Sequence, residues 1–479
     1  IFLFFSFFFL FFFFFFFFFF FFSLLKVFFF FFFFFGYFKH SVRVKAMSAE
    51  KEITLSLPGG QILAVSDGEM IRARGIPYAT AERFQPPKPV SSWEGVRDCT
   101  KPASVCYQNP SRLWPVTGEI EKGRDQTEEC QHVSVAALTS ASAAPVMVFF
   151  HGGAYVSGGG DVDAYSPVAL ARKGVVAVNV THRLGVFGYL PIPDIAPANL
   201  SILDQIAALK WVQRNIHVFG GDPKNVTLYG QSAGADTIYC LCVSGAADHL
   251  FERGILQSPP FAKLQDSNRQ KMLQKMSQHV LQGLLSSNDT VADVPAARIL
   301  ERTKEVMGIV RDTSNSLLPF GPVFGEYPLP PESELHDRFM AAAKQKRLLI
   351  GYTAQEETAF AHIDSREGAK EYLYHLFQGS TNMMLENMAK ELDEPPASYE
   401  FAWYPEGCDQ FKATHCLELA LLLGDWDAWK NAPMVQGRDA KKAIEGTLGD
   451  AVKNFWVAFA KGEDLGSKKY IIDGDFTWP

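Results

Sequence analysis

The sequence lacks the features that usually mark proteins that bind nucleic acid or metal ions. Its 52 acidic residues outnumber its 45 basic ones, for a net charge of −7, so nothing in the chain offers the basic surface that nucleic acid requires. None of the seven cysteines lies in the Cys-x-x-Cys spacing of a zinc site. No Lys-Ser/Thr pair follows the glycine-rich stretch at 151–160, as a phosphate-binding loop would need. We therefore expect no nucleic-acid partner, no metal and no cofactor.

Phenylalanine is scarce except at the N-terminus, where 27 of the 44 copies precede residue 39. This run exceeds the roughly 20 residues that cross a bilayer, so its length alone predicts a membrane anchor. It consists almost only of Phe, however, with some Leu and Ser, which a thymine-rich DNA tract encodes, and the first methionine is Met47. No small-residue cleavage site of a signal peptide follows it. We expect residues 1–46 to lie outside the native protein and the product to be cytoplasmic. If residues 1–38 are genuine, the protein is instead membrane-anchored or secreted.

Downstream of Met47, short apolar runs alternate with segments of helical periodicity, which indicates the α/β class with a mixed, mostly parallel sheet. In the helix-like segment 200–216, Ile202, Ile206 and Leu209 fall on one face. A second helix is predicted over 452–459. Strands are predicted at 146–150, 175–180, 226–229, 254–256, 348–350 and 399–403.

Two further regions differ from this alternation. Before residue 146, short alternating pieces separated by Pro-Gly-Gly and Asp-Gly turns predict an antiparallel meander. Residues 261–345 are polar and helix-rich, with a strand signal only at 319–324, and we expect them to form a cap or insertion. No linker and no repeat is visible, so we predict one domain over residues 47–479.

Gly-Gln-Ser-Ala-Gly at 230–234 is the first candidate for catalytic chemistry. A Gly-x-Ser-x-Gly match is weak by itself, because a chance occurrence in a chain of this length has a probability on the order of 0.1. Here a predicted strand ends at Tyr229 and a helix-like run follows Ser232, which is the setting of a nucleophile elbow. Flanking glycines permit the tight turn that exposes a serine hydroxyl. We predict Ser232 as a nucleophile.

A second glycine-rich turn, His-Gly-Gly-Ala at 151–154, follows the predicted strand 146–150. Small residues there let backbone N–H groups approach a substrate closely. In serine hydrolases such a loop stabilises the oxyanion, together with the amide after the nucleophile. We predict Gly153, Ala154 and Ala233 as oxyanion donors.

A serine nucleophile needs a base, and the base needs an acid that orients it. In folds with a nucleophile elbow, the chain order is serine, acid, histidine. Among the six histidines after Ser232, His415 ends a loop directly before an apolar run, which favours it as the base. The acid should follow a strand, where Glu356 and Glu357 are adjacent, and periodicity does not choose between them.

Several longer stretches together resemble a single family. They include "RGIPYA", "RFQPPKPV", "HGGAY", "RLGVFGYL", "FGGDPKNVTLYGQSAGA", "ILQS" and "KATHCLELALLLG". The chain resembles the type B carboxylesterases, the cholinesterase-like α/β hydrolases, and among them the para-nitrobenzyl esterase-type enzymes of bacteria and fungi. The resemblance spans about residues 53 to 462. It implies an α/β-hydrolase fold with a helical cap, a serine esterase with an acyl-enzyme intermediate, and a small-molecule ester as substrate.

The resemblance also implies roles for individual residues. The family's Gly-x-Thr-x-x-Glu-x-x-x-Phe pattern selects Glu356 over Glu357, with His415 as base and Ser232 as nucleophile. Ser258 in "ILQS" and Gln231 are implied to lie beside this triad. A disulfide between Cys106 and Cys130 is implied as well.

Four departures from the family pattern stand out. Gln231 occupies the position of a glutamate in cholinesterases, and Trp114 does not fit the spacing of their choline-binding tryptophan, so choline esters are not indicated. The segment from Glu356 to His415 is shorter than is usual in the family. "ECQHVSVAAL" replaces a core strand of different sequence.

The sequence therefore predicts a serine carboxylesterase. A lipase that acts on longer-chain esters is the enzymatic alternative, and chain-length preference separates the two. The alternative from another class is a cholinesterase-like adhesion module without catalysis. Such modules lack the nucleophile or the histidine, and both are present here.

Overall fold

The computed structural model describes residues 49–261, 269–285, 292–313, 318–363 and 367–479. The predictions for residues 1–46 lie outside this part of the chain. Residues Glu50–Pro479 cluster into one compact unit. Within the described residues, none of the helices combines the length and the apolar character that a bilayer crossing needs.

The regular elements of the described residues are as follows. The strands are β1 (Lys51–Leu57), β2 (Gly60–Ser66), β3 (Met70–Pro77), β4 (Ala79–Thr80), β5 (Lys88–Pro89), β6 (Val96–Asp98), β7 (Val105–Cys106), β8 (Gln126–Thr127), β9 (His132–Leu138), β10 (Ala144–Phe150), β11 (Val176–Thr181), β12 (Gly221–Gln231), β13 (Arg253–Gln257), β14 (Arg347–Thr353), β15 (Ala397–Phe401) and β16 (Lys469–Ile472). The helices are α1 (Trp114–Thr117), α2 (Val168–Ala171), α3 (Gly185–Tyr189), α4 (Leu200–Asn215), α5 (Ala233–Val243), α6 (Arg269–Leu285), α7 (Ala296–Thr313), α8 (Leu335–Gln345), α9 (Ala369–Tyr374), α10 (Ser380–Glu391), α11 (Leu417–Leu422), α12 (Trp426–Trp429), α13 (Ala440–Glu445) and α14 (Thr447–Ala460). Short 3₁₀ helices cover Asp163–Tyr165, Ile216–Phe219, Glu332–Glu334, Glu356–Phe360 and Pro433–Val435, and a π-helical turn covers His375–Gly379.

One mixed sheet of twelve strands organises the described chain, in the order β1-β2-β3-β9-β11-β10-β12-β13-β14-β15-β16, with β6 beside β2. Strands β1, β2, β3 and β9 pair antiparallel, and β9 pairs antiparallel with β11. From β11 to β16 every pairing is parallel. The predicted α/β class, with a mostly parallel sheet and an N-terminal antiparallel meander, is confirmed. Because the parallel strands share one direction, the ends of β10, β12 and β14 lie at the same edge.

The centre of the sheet is buried on both faces, as expected for parallel strands covered by helices. In β10, Val146, Val148 and Phe150 belong to one hydrophobic cluster, and Met147 and Phe149 belong to another. All five residues are completely buried. The alternation along the strand therefore sends side chains into two separate cores, one on each face of the sheet.

The observed boundaries differ from the predicted ones in several places. Strand β12 begins at Gly221, five residues before the predicted strand 226–229, and α14 begins at Thr447 instead of at residue 452. Residues 319–324, predicted as a strand, form none. Pro319 and Pro322 remove two amide donors from that segment, which a strand ladder would use. The amide of Val323 instead donates to the side chain of Asn199 at 2.8 Å.

Helices α6, α7 and α8 lie in segment 261–345, which we expected to form a cap. Residues 262–268, 286–291 and 314–317 of this segment are outside the described part of the chain. The "ECQHVSVAAL" stretch, a departure from the family sequence, still forms the buried strand β9.

A buried ion pair connects the end of β11 to α4. The guanidinium of Arg183 donates to both carboxylate oxygens of Asp204, at 2.8 and 2.7 Å. It also donates to the backbone carbonyl of Gln85 at 2.7 Å. The two charged side chains are only 4% and 0% exposed, so each relies on the other in place of water.

Asp204→Asn should destabilise the fold by about 3 to 5 kcal/mol, because it leaves the buried guanidinium without its counter-charge. Urea unfolding monitored by circular dichroism measures this change. The matched control is Glu334→Gln, which removes an exposed partner of Arg338 and should change the unfolding free energy by less than about 1 kcal/mol. Equal effects of the two substitutions would contradict the prediction.

Candidate active site

Ser232 occupies a sharp turn between β12, which ends at Gln231, and α5, which begins at Ala233. Its backbone has φ of 57° and ψ of −122°, a conformation that residues other than glycine rarely adopt. The flanking glycines are sterically required: a Cβ on Gly234 would lie 1.9 Å from the carbonyl oxygen of Phe150. The turn is thus the strained strand-to-helix elbow that the sequence predicted.

Glu356 follows β14 and opens the 3₁₀ helix Glu356–Phe360. One of its carboxylate oxygens accepts a hydrogen bond from the amide of Thr353 at 2.8 Å, and the other contacts Nδ1 of His415. The side chains of Glu356 and His415 are both completely buried. Glu357 is partly exposed and is not the residue that contacts His415. Glu356, the glutamate of the family pattern, is therefore the one in contact with His415.

Backbone and side-chain bonds tie the segment of Glu356 to the segment of His415. The amide of Gln355 donates to the carbonyl of Ala413 at 3.0 Å. The hydroxyl of Thr358 donates to that of Thr414 at 2.8 Å. These contacts join two segments that are more than fifty residues apart in the chain, and they bring the carboxylate against the imidazole.

Two aromatic rings complete the surroundings of the imidazole. The ring centroids of Phe360 and Phe377 lie 5.2 and 4.6 Å from that of His415. Both rings limit the rotation of His415 out of the site and shield it from water. Phe377 belongs to the π-helical turn, and the sequence reasoning did not identify it because no local pattern links it to residue 415.

The hydrogen bonds of His415 define its tautomer. Nδ1 donates to the Glu356 carboxylate, so Nε2 carries a lone pair. That lone pair accepts a hydrogen bond from the side-chain amide of Gln231 at 3.0 Å. Within the described residues, the hydroxyl of Ser232 makes no hydrogen bond, although Ser232 and His415 line the same pocket.

The turn after β10 supplies backbone donors to this pocket. Gly153 has φ of 113°, and a Cβ there would lie 2.0 Å from the carbonyl oxygen of Ser157. Among the described residues, the amides of Gly153 and Ala154 donate to no acceptor. Ala233 is the first residue of α5, where an amide has no acceptor within the helix. The three predicted donors thus lie in the turns beside Ser232 with their amides available.

A stacked pair of histidines, which the sequence reasoning missed, supports the same turn. The rings of His151 and His182 are 4.7 Å apart and nearly parallel, at 10°. Burial lowers the pKa of His151 to about 3 and the pKa of His182 to about 4, so both rings are neutral near pH 7. Nδ1 of His151 donates to the carbonyl of Gly152 at 2.8 Å. A histidine after a predicted strand carries no sequence signal for such stacking.

The pocket at this site has mostly apolar walls. Arg112 is the only lining residue among the described ones with a permanent charge. The walls are formed by Ser111, Arg112, Leu113, Gly153, Ala154, Ser157, Gln231, Ser232, Leu318, Phe360, Ile363, Leu376, Phe377, His415 and Cys416.

Ser258, which follows β13, is not part of the pocket wall. It has φ of 51°, and its hydroxyl is buried without a hydrogen-bond partner among the described residues. Its amide donates to the carbonyl of Gly351 at 2.7 Å, which places it beside the strand that leads to Glu356.

The structure does not contain the disulfide implied by the resemblance, because Cys106 and Cys130 are free, buried thiols. Burial and a hydrogen bond with Cys106 raise the pKa of the Cys130 thiol well above its usual value. The Cys106 sulfur also accepts a hydrogen bond from the amide of Leu184 at 3.3 Å. The Cys130 thiol is therefore protonated and hydrogen-bonded to Cys106, where a disulfide was expected.

Glu418 is a second buried carboxyl group beside the imidazole, and the sequence reasoning did not identify it. It is completely buried in α11, three residues after His415. One oxygen accepts a hydrogen bond from Gln257 at 3.3 Å, and the other has no partner among the described residues. Burial, and then the negative charge of Glu356, raise the pKa of Glu418 to about 7.

Comparison with known proteins identifies the family of this chain. The sequence model of the carboxylesterase family matches residues 59–394. The chain belongs to the carboxylesterase family. The probable N-octanoylanthranilate hydrolase AqdA2 of Rhodococcus erythropolis is 34% identical to it over 427 residues, which cover 85% of this chain and 92% of that protein. The para-nitrobenzyl esterase of Bacillus subtilis (strain 168) is 32% identical over 447 residues, covering 84% and 88%.

The solved structure of a thermophilic PNB esterase superimposes on this carboxylesterase with a TM-score of 0.73 and 26% identity, covering 88% of this chain and 96% of that one. The predicted α/β-hydrolase fold is thereby confirmed, and so is the family that the sequence motifs resembled. This carboxylesterase is a carboxylic ester hydrolase that acts on small-molecule esters.

Replacing Glu418 by Gln should make the folded carboxylesterase more stable, relative to the wild type, as the pH rises. The pKa of Glu418 rises from 4.5 to about 7 in the fold, so between these values the folded state binds the proton and the unfolded state releases it. Folding stability from this group therefore falls as pH rises from 4.5 to about 7. Glutamine does not titrate, so Glu418→Gln should gain about 3 kcal/mol relative to the wild type between pH 4 and pH 8.

Thermal unfolding of both proteins at the two pH values measures the change. Glu371→Gln, at an exposed position of α9, is the control and should show no such pH dependence. If the stability difference between Glu418→Gln and the wild type were the same at pH 4 and pH 8, the raised pKa of Glu418 would be refuted.

Proposed function

We propose that this carboxylesterase works through a Ser-His-Glu triad, with Ser232 as nucleophile, His415 as base and Glu356 as the acid that orients the imidazole. The observation that carries the proposal is the buried contact between Glu356 and Nδ1 of His415 beside the pocket that Ser232 lines. Glu356 holds the tautomer in which Nε2 can accept a proton, and it stabilises the imidazolium that then forms.

In the first half of the reaction, the Ser232 oxygen attacks the ester carbonyl while its proton passes to Nε2 of His415. The negative charge moves to the carbonyl oxygen, where the amides of Gly153, Ala154 and Ala233 stabilise it. The imidazolium then protonates the leaving alcohol, and an acyl-enzyme remains. In the second half, His415 removes a proton from water, whose oxygen attacks the acyl carbon. The bond from that carbon to the Ser232 oxygen then breaks, the imidazolium returns the proton to Ser232, and the carboxylic acid is released.

The lining of the pocket favours esters with an apolar acyl or alcohol group. Leu113, Leu318 and Leu376, together with the rings of Phe360 and Phe377, offer apolar contact to such a group. No described residue in the wall carries a carboxylate, and Arg112 carries a positive charge, so the charges of the wall do not favour a cationic group such as choline.

Ser232→Ala should reduce the turnover of a short-chain p-nitrophenyl ester by about 10⁴-fold or more, because the nucleophile is lost and only the remaining binding and oxyanion contacts act. The measurements are steady-state hydrolysis and covalent labelling by a fluorophosphonate probe. Ser244→Ala, at the end of α5 and outside the pocket, is the control. It should hydrolyse the ester and react with the probe at the wild-type rates. Hydrolysis or labelling of Ser232→Ala at the wild-type level would falsify the mechanism.

A second candidate function is hydrolysis of N-acyl bonds in acylated aromatic acids. The relative AqdA2 is named a probable N-octanoylanthranilate hydrolase, and Arg112 lies in the wall of the pocket here. Anthranilate carries a carboxylate, which a guanidinium can bind through two parallel hydrogen bonds.

The test compares N-octanoylanthranilate with the uncharged N-octanoylaniline. Arg112→Gln should lower kcat/KM for the first by about ten-fold, the effect of a charge-assisted hydrogen bond, and leave the second unchanged. Equal loss on both substrates, or no cleavage of either, would exclude this second function and leave the esterase proposal intact.

A further inference from the structure

The base of the proposed triad, His415, is hydrogen-bonded through Nε2 to Gln231 and not to the nucleophile. Imidazole has one lone pair on Nε2, since Nδ1 donates its proton to Glu356. The side-chain amide of Gln231 occupies that lone pair at 3.0 Å, and Ser232 has no hydrogen bond among the described residues. One lone pair cannot fully serve two donors, so Gln231 and Ser232 compete for His415.

The Gln231 side chain is firmly held in this position. It is 1% exposed, and its carbonyl oxygen accepts a hydrogen bond from the Cys416 thiol at 3.4 Å. Its contact with Gly152 is so close that a Cβ on that glycine would lie 2.8 Å from the same oxygen. Its backbone pairs with Gln257 of β13. The amide NH₂ group therefore points at His415 because both the carbonyl oxygen and the main chain are fixed.

We propose that Gln231 is a positioning residue that holds the base away from Ser232 in the free enzyme. Acylation then requires Nε2 to exchange Gln231 for the Ser232 hydroxyl before the proton can move. This inference rests on the proposed triad and adds a step to it. It also explains why Ser232 and His415 line one pocket without a hydrogen bond between them.

The proton transfer during acylation supports this role. When Ser232 attacks, its O–C bond to the substrate forms, the carbonyl electron pair moves to oxygen, and the hydroxyl proton goes to Nε2. The resulting N–H of the imidazolium cannot bond to the NH₂ group of Gln231, because both are donors. The contact seen in the free enzyme therefore stabilises only the neutral base, and it disappears during the reaction.

The charges around His415 make a glutamate at position 231 an informative substitution. Glu356 contacts Nδ1, and Glu418 on α11 is close enough to interact electrostatically with His415. Cys416 is a neutral thiol, because burial raises its pKa well above the usual value. A carboxylate at position 231 would accept a hydrogen bond from the imidazolium, and so would favour the protonated and inactive form of the base.

The experiment uses Gln231→Met and Gln231→Glu in the full chain. Methionine has a similar length and no N–H, so it frees the lone pair for Ser232. The rate constant for fluorophosphonate labelling, and that for acylation by p-nitrophenyl acetate in the burst phase, should rise by about five-fold, the effect of one hydrogen bond, while KM changes little. In Gln231→Glu, the acidic limb of the pH–rate profile should move up by roughly one pH unit. The pH–rate profiles of the wild type and of Gln231→Glu are also recorded with Glu418→Gln added to each protein, so that titration of Glu418 does not contribute.

An acylation rate in Gln231→Met equal to or below that of the wild type overturns the inference, as does an unmoved acidic limb in Gln231→Glu. The isosteric Glu variant keeps the test decisive if Gln231→Met does not fold, which thermal unfolding reports. Ser232→Ala separates this inference from the proposed function. If Ser232→Ala stays active, the triad itself is wrong, and if it is inactive while both Gln231 variants behave as the wild type, only the role of Gln231 is wrong.

Discussion

The buried contact between Glu356 and His415 is the constraint on which the rest of the site depends. The two polar side chains are completely buried, so each must find its hydrogen-bond partner within the protein. The contact fixes which imidazole nitrogen carries the proton, and hence where the lone pair points. The positions of Gln231, Ser232 and any substrate relative to this lone pair then determine which of them can hydrogen-bond to His415. Without the contact, neither the tautomer nor the competition for Nε2 would be defined.

The sheet brings these groups together although they are distant in sequence. Strands β10, β12 and β14 are parallel and end at one edge, which places the Gly153 turn, Ser232 and Glu356 side by side. His415 comes from a segment that is tied to Gln355 by a backbone hydrogen bond. A parallel sheet buried on both faces is rigid, so the turns at its edge can keep strained conformations such as that of Ser232. The site is thus built from loops whose positions the core determines.

Electrostatics at the site arise from burial more than from the number of charges. Glu418 retains a proton at a pH where an exposed glutamate would be ionised, because it is buried close to Glu356. His151 and His182 stay neutral for the corresponding reason. The proposed base therefore contacts one carboxyl group, that of Glu356, while the buried side chains of Glu418 and Cys416 nearby resist taking a charge. In this setting a single neutral amide such as Gln231 can influence the base.

Local patterns in the sequence were sufficient to predict the elbow at Ser232, the glycine turn at Gly153 and the alternation of strands and helices. Each depends on residues that are adjacent in the chain, such as the glycines that a strained turn requires. The sequence by itself left Glu356 and Glu357 equivalent until the family pattern was applied, and it gave no sign of Phe377, Glu418 or the amide contact of Gln231. Those features depend on which segments meet across the fold, and on which side chains lose contact with water there. Only the tertiary structure decides that, because burial and long-range contact are properties of the packed chain and not of any one stretch of it.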